Sequence, residues 1–340
     1  MSKLKIRYAG VPYYDRTRPL ELGELAPEGT ELEFVPFHSV GKLFRVVVEE
    51  MPFDIAEMSL STLALLMSRG TSHLVGLPIF PSRAFRHSQV YVHERSGIER
   101  PEDLRGKNVG IPEYQMTAAV WIRAFLEHDY GVKPSELHWW TGGLTGPAYT
   151  ERLRHAPPPG VTIDRIPPER WLEEMLEHGD LDAFVTAQPP TPFRERKGVR
   201  RLFTNYRAVE SEYYARTGYF PIMHTVAMKR DVYEANPWLA VSVLEAFEQA
   251  RRQARARLRD LDTLAVMHPW IADEVDAITA QFGGSDPFVY GFQANLHTVT
   301  AACRYSYEQG LAERDVDPRE IFAPETHDWQ APGVEDEDAA

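Results

Sequence analysis

Strand and helix patterns alternate along this chain, and the alternation stops and begins again. "KLKIRYAG", "FDIAEMS" and "HLVGLPIF" have the apolar character of buried strands, while "SVGKLFRVVVEE" and "LSTLALLMSRG", ending at Gly70, have helical periodicity. This alternation predicts an open α/β sheet. The extended run "SRAFRHSQVYVHE" carries the chain past that sheet, and a second series follows: strand "NVGIP", helix "TAAVWIRAFLEHDY" closed by Gly131, strand "ELHWW", a helix near "PERWLEEMLEHG" and strand "DAFVT". "YFPIMHTVAMKR" then reads as a strand crossing back, and the remainder is mostly helical. At 340 residues the chain exceeds what one small core usually holds, so two lobes are expected. Lobe I takes residues 1–88 and 222–340 and lobe II residues 89–221. Two crossing hinge strands join them, with a ligand cleft between. The proline-rich "RHAPPPGVTIDRIPPER" is predicted to be a surface loop, and no fixed-period repeat is present.

Composition narrows the function. A net charge of −13 argues against nucleic-acid and anionic-membrane partners, which need a basic surface. No stretch has the apolar length of a membrane span. "MSKLKIRYAG" runs directly into a strand pattern without a secretory signal, which predicts a cytoplasmic location. Cys303 is the only cysteine, excluding an internal disulfide and a cysteine-rich zinc site. The tail "GVEDEDAA" reads as a solvated acidic end.

In such sheets ligands sit beyond the carboxyl ends of strands, where loops lead into helix N-termini. "VPYYDRTR", "EMSLST", "PEYQMT" and "TAQPP" have that position. Thr117 is predicted to cap its helix, leaving first-turn amides to receive a carboxylate; the alternative is a cap serving only its own helix. Ser59, Ser61 and Thr62 repeat the arrangement in the other lobe, and two facing helix starts suggest an anion clamp.

Several stretches resemble the 4,5-dihydroxyphthalate decarboxylase family. They are "FDIAEMSLST", "GLPIFPSRAFRHSQVYV", "RPEDLRGKNVGIPEYQMTAAVWIR", "HWWTGG", "GDLDAFVTA", "FPIMHTVAMKRD" and "FAPET", spanning nearly the whole chain. "RPEDLRGKNVGIP" is shared by many solute-binding proteins, whereas "PEYQMTAAVWIR" with "PSRAFRHS" is narrower. The resemblance implies the two-lobed type II periplasmic-binding-protein-like fold. It also implies loss of carbon dioxide from a dihydroxylated aromatic diacid, giving a protocatechuate-type product. It fixes no catalytic acid.

The chemistry requires one. An aryl carbanion is too unstable to form directly, so a cofactor-free route protonates the carboxylate-bearing ring carbon first, helped by a para hydroxyl. His224 on the return strand is the first candidate donor and His87 the second; a packed core histidine is the alternative for either. Glu57 and Glu113, at strand ends, can accept from the vicinal hydroxyls or simply cap loop amides. Arg83 and Arg86 are the carboxylate partners, Arg83 first; on an extended strand Arg83 and His87 share a face that Arg86 does not. Either arginine reads alternatively as a lobe brace. Tyr13, Tyr14 and Tyr114 offer aromatic walls, Gln115 and Met116 complete the loop, and Trp140 is wall or core.

The twelve histidines show no HxH, HxxxH or HExxH spacing, so no metal is expected; a divalent ion held by Glu57, His87 and His224 is the lesser alternative. No GxGxxG, GxxxxGK or GxSxG occurs. The expected partner is a small aromatic carboxylate, with a homo-oligomer left open. Two other functions remain: a solute-binding protein for a small carboxylate, and another lyase or biosynthetic enzyme on the same scaffold.

Overall fold

The computed structural model describes residues 3–146, 153 and 156–331, so the acidic tail and Arg154 and His155 of the proline-rich stretch lie outside the described residues. Eleven described strands form two sheets: β1 (Leu4–Gly10), β2 (Thr30–Pro36), β3 (Ile55–Ser59), β4 (Leu74–Arg83), β5 (Val90–His93), β6 (Asn108–Ile111), β7 (His138–Thr141), β8 (Thr162–Arg165), β9 (Ala183–Val185), β10 (Val199–Arg201) and β11 (Ile222–Lys229). The first sheet has the order β2-β1-β3-β11-β4 and the second β10-β5-β9-β6-β7-β8. β11 is antiparallel to both β3 and β4, so the last strand in the chain completes the first sheet from within. The chain leaves this sheet after Arg83 and returns at Ile222, passing between the sheets twice.

Strand centres follow apolar content: every residue of β3 is buried, and the helix that follows it, Leu60–Ser68, is buried along its whole length. Ser59 caps that helix, its hydroxyl accepting from the Thr62 amide at 3.4 Å. In the second sheet the helix Thr117–Tyr130 ends at Gly131, whose φ of 65° needs a residue without a β-carbon. The C-terminal "FAPET" segment docks on β4 through a bridge between Phe322 and Gly76. A side chain at Gly76 would sit 2.8 Å from the Ile321 carbonyl oxygen, so only glycine permits the approach.

Three strands lacked a clear signal. β2, β8 and β10 lie at sheet edges, and β8 runs inside the stretch expected to be loop. Their outward residues are polar, and backbone pairing with a neighbour supplies most of what holds them. Among the described residues no helix is long and apolar enough to cross a membrane.

Candidate active site

On β3 the residues Glu57 and Ser59 point to one face, and the register of β11 sets Val226 opposite Glu57 and His224 opposite Ser59. His224 therefore lies diagonally across from Glu57, within reach of a long side chain. The His224 Nδ1–H donates to Glu57 Oε1 at 2.6 Å, and the Val11 amide donates to Glu57 Oε2 at 3.1 Å. Glu57 is fully buried, where a carboxylate persists only if its oxygens are bonded. Among the described residues His224 Nε2 has no protein partner. Phe44 packs edge-on against the imidazole, with ring centroids 4.8 Å apart.

The other neighbour of β11 is irregular at this point. Pairing with β4 shifts register on both sides of His224, which stands opposite Ser82. The cause is local: Pro78 and Pro81 in "GLPIFPSR" have no amide hydrogen to give to the ladder, and bulges of this kind re-aim side chains beside active sites. The freed Pro81 carbonyl accepts from Arg16 Nε at 2.5 Å. Arg16 belongs to the loop after β1, as does Tyr14, and its guanidinium lies 4.1 Å from the centre of the Tyr14 ring. The Tyr14 phenol donates to Glu57 and accepts from Ser82; burial, then the Glu57 charge, pushes its pKa up and keeps it protonated. The preceding residue, Tyr13, has a φ of 70°, strained for a non-glycine residue, and this turn directs Tyr14 inward while Tyr13 stays exposed.

Next to this cluster the two helix starts meet. Thr117 is the first helical residue rather than the cap; the cap position belongs to Met116, which provides no side-chain bond. The Thr117 hydroxyl instead crosses to the other helix, lying 2.9 Å from both Ser59 Oγ and Ser61 Oγ and accepting from the Ser61 amide at 3.2 Å. Ser61 Oγ also donates to the Gln115 carbonyl at 2.8 Å. The expected anion clamp is thus closed upon itself by hydroxyls, directly beside His224.

The structure does not bring the remaining candidates to this cluster. Arg83 donates to Asn295 Oδ1 and to the Phe220 carbonyl and lies over the Phe220 ring; burial lowers its pKa to about 9. Arg86 contacts Met223 Sδ and the Ala187 carbonyl, with its pKa lowered by burial to about 10. His87 stacks on Phe125 at 3.9 Å, with Phe203 and Tyr213 closing the box; burial pulls its pKa down to about 3, so near neutral pH it stays in the neutral form and does not serve as an imidazolium donor. Strand β4 stops at Arg83, which explains why these three diverge. Tyr114 is core, under the Arg123 guanidinium and against Trp139. Trp140 is half-buried and bonds Asn108. Glu113 and Met116 flank the seam, joined through the Met116 amide and Glu113 carbonyl. Glu57, His87 and His224 do not converge on an ion, and among the described residues no group of three or more His, Cys, Asp or Glu side chains is arranged to hold one. Sequence reading missed Arg16 and Ser82, since only the β4 irregularity reveals them.

No family model matches the chain. Its fold is shared with the periplasmic aliphatic sulphonate binding protein SsuA from Escherichia coli (TM-score 0.57, 15% identity, 96% of this chain and 99% of that one). It is shared as well with the desulfurization enzyme DSZB (TM-score 0.51, 15% identity, 95% and 97%). The architecture is therefore the two-lobed type II periplasmic-binding-protein-like fold. Sequence kinship is closer elsewhere: 36% identity over 220 residues to the 4,5-dihydroxyphthalate decarboxylase of Pseudomonas putida, covering 64% of this chain and 84% of that protein. The protein of the same name from Comamonas testosteroni is 37% identical over 325 residues, covering 95% of this chain and 98% of its own length. With that likeness along almost the entire sequence, this chain belongs to the 4,5-dihydroxyphthalate decarboxylase family.

Proposed function

We propose that the protein is a carboxy-lyase that converts 4,5-dihydroxyphthalate to protocatechuate and carbon dioxide, with His224 as the acid. One observation carries the residue assignment: His224 is held by buried Glu57 at 2.6 Å, beside the seam where the two helix starts meet. A carboxylate that accepts from Nδ1–H fixes the ring orientation and leaves Nε2 turned away from Glu57 to carry the transferable proton. Glu57 lies behind the histidine and acts as a positioning residue rather than as the base at the substrate hydroxyls.

In the reaction, the Nε2 proton bonds to the ring carbon that bears the departing carboxylate. Electrons from the para hydroxyl compensate, and that oxygen becomes carbonyl-like. The bond to the carboxylate carbon then breaks, its electron pair restores the aromatic ring, and carbon dioxide leaves. The proton count balances with one proton consumed per turnover. The electron source is the substrate's own hydroxyl, which supports a route without cofactor.

The test is to incubate purified protein with the diacid, with nothing added, and follow substrate absorbance and carbon dioxide together. His224→Gln should lower kcat by about 10²–10⁴-fold with KM changed far less, as for a group needed mainly in the transition state. Binding of the diacid by the wild-type protein without carbon dioxide release would favour a solute-binding protein instead.

A further inference from the structure

We propose that Arg16 binds the carboxylate that the reaction keeps, forming a subsite with the Tyr14 ring. The identity of the ligand rests on the decarboxylase reading; the placement rests on the β4 irregularity.

Arg16 is held at three points. Its Nε donates to the Pro81 carbonyl, its Nη1 to Asp15 at 2.9 Å, and its flat face lies on Tyr14. Among the described residues Nη2 has no protein partner. The side chain is only 20% exposed, and its ion-pair partner Asp15 is 49% exposed, so an incoming anion can replace Asp15 at modest cost. A guanidinium fixed in this way has lost its conformational freedom before the ligand arrives and offers planar donors that match a carboxylate.

Chemistry says which carboxylate. The Tyr14 hydroxyl bonds Glu57, which bonds His224, so the ring on which Arg16 lies joins the subsite to the acid. The departing group becomes neutral carbon dioxide, and a cation upon it would stabilise the ground state more than the transition state, slowing the reaction. The retained carboxylate keeps its charge throughout, so binding it orients the ring without raising the barrier.

Calorimetry with 3,4-dihydroxybenzoate and with its methyl ester tests this, because the two differ in the one charge at issue. Wild-type protein should bind the acid about ten-fold or more tightly than the ester, the scale of a charge-assisted bond. In Arg16→Gln the preference should fall to within about two-fold, the acid losing far more affinity than the ester, since the acid's charged partner has gone. Arg16→Lys, which keeps a point charge but not the planar fork, should fall between and covers the case in which the glutamine variant does not fold. The proposal is overturned if wild-type protein does not prefer the acid, if the variants keep the full preference, or if acid and ester weaken together. No turnover enters the measurement. A clear acid preference in a protein that releases no carbon dioxide would therefore remove the decarboxylase reading and leave the subsite standing.

Discussion

At the scale of single residues, His87 shows what burial does to an imidazole. Its native pKa of about 3 lies below the usual unfolded value of about 6.5, so on acidification the unfolded chain takes up a proton that the folded one refuses. The stability that His87 contributes is therefore present above pH about 6.5 and is lost as pH falls toward 3, at no more than about 1.4 kcal/mol per unit. His87→Phe, which preserves the stack on Phe125, should flatten that part of the profile; urea titrations near neutrality and near pH 5 would show it. Equal acid sensitivity in the variant would refute the assignment. Arg83 has a comparable bracing role. Arg83→Ala removes the bonds to Asn295 and Phe220 and should destabilise the fold by about 1.5–3 kcal/mol in chemical denaturation while leaving KM for the diacid within a few-fold of wild type. A large rise in KM at unchanged stability would return Arg83 to the substrate.

Among the elements, the two helix starts carry the seam. Thr117→Val keeps the shape of the side chain but deletes its hydroxyl, leaving Ser59, Ser61 and the Ser61 amide without their shared partner. The variant should favour a more open arrangement, seen as a larger radius of gyration in small-angle scattering, and should show a higher KM. An unchanged scattering profile would mean that the seam does not hold the lobes together. The element scale also separates what a sequence can show from what it hides. Glu57 and His224 stood out because a charged and a titratable residue interrupt apolar strands at their ligand-facing ends. Their pairing did not, because it depends on cross-strand register, which no short stretch encodes. Thr117 looked like a cap because its type fits that position; the competing attraction of Ser59 and Ser61 lies 56 to 58 residues away. Arg16 and Ser82 were hidden for the same reason, since the two prolines of β4 mark an irregularity without saying which loop fills it.

For the whole molecule, the restarted alternation was the visible sign of the second sheet, and the two passages between sheets follow from it. Topologically, residues 84–221 are inserted between two antiparallel neighbours, β4 and β11. Among the described strands β4 has no other partner in its sheet, and β3 pairs on one side with β1 and on the other with β11. During synthesis from the N-terminus, the first 221 residues therefore emerge with β4 unattached and one edge of β3 open, both strongly apolar and prone to pair with other chains. The strand that closes this gap is the strand that brings His224. A nascent chain thus gains the proposed acid and closes an open apolar edge in the same event, and a ribosome that stalls before residue 222 should release a product that lacks His224 and is prone to aggregate.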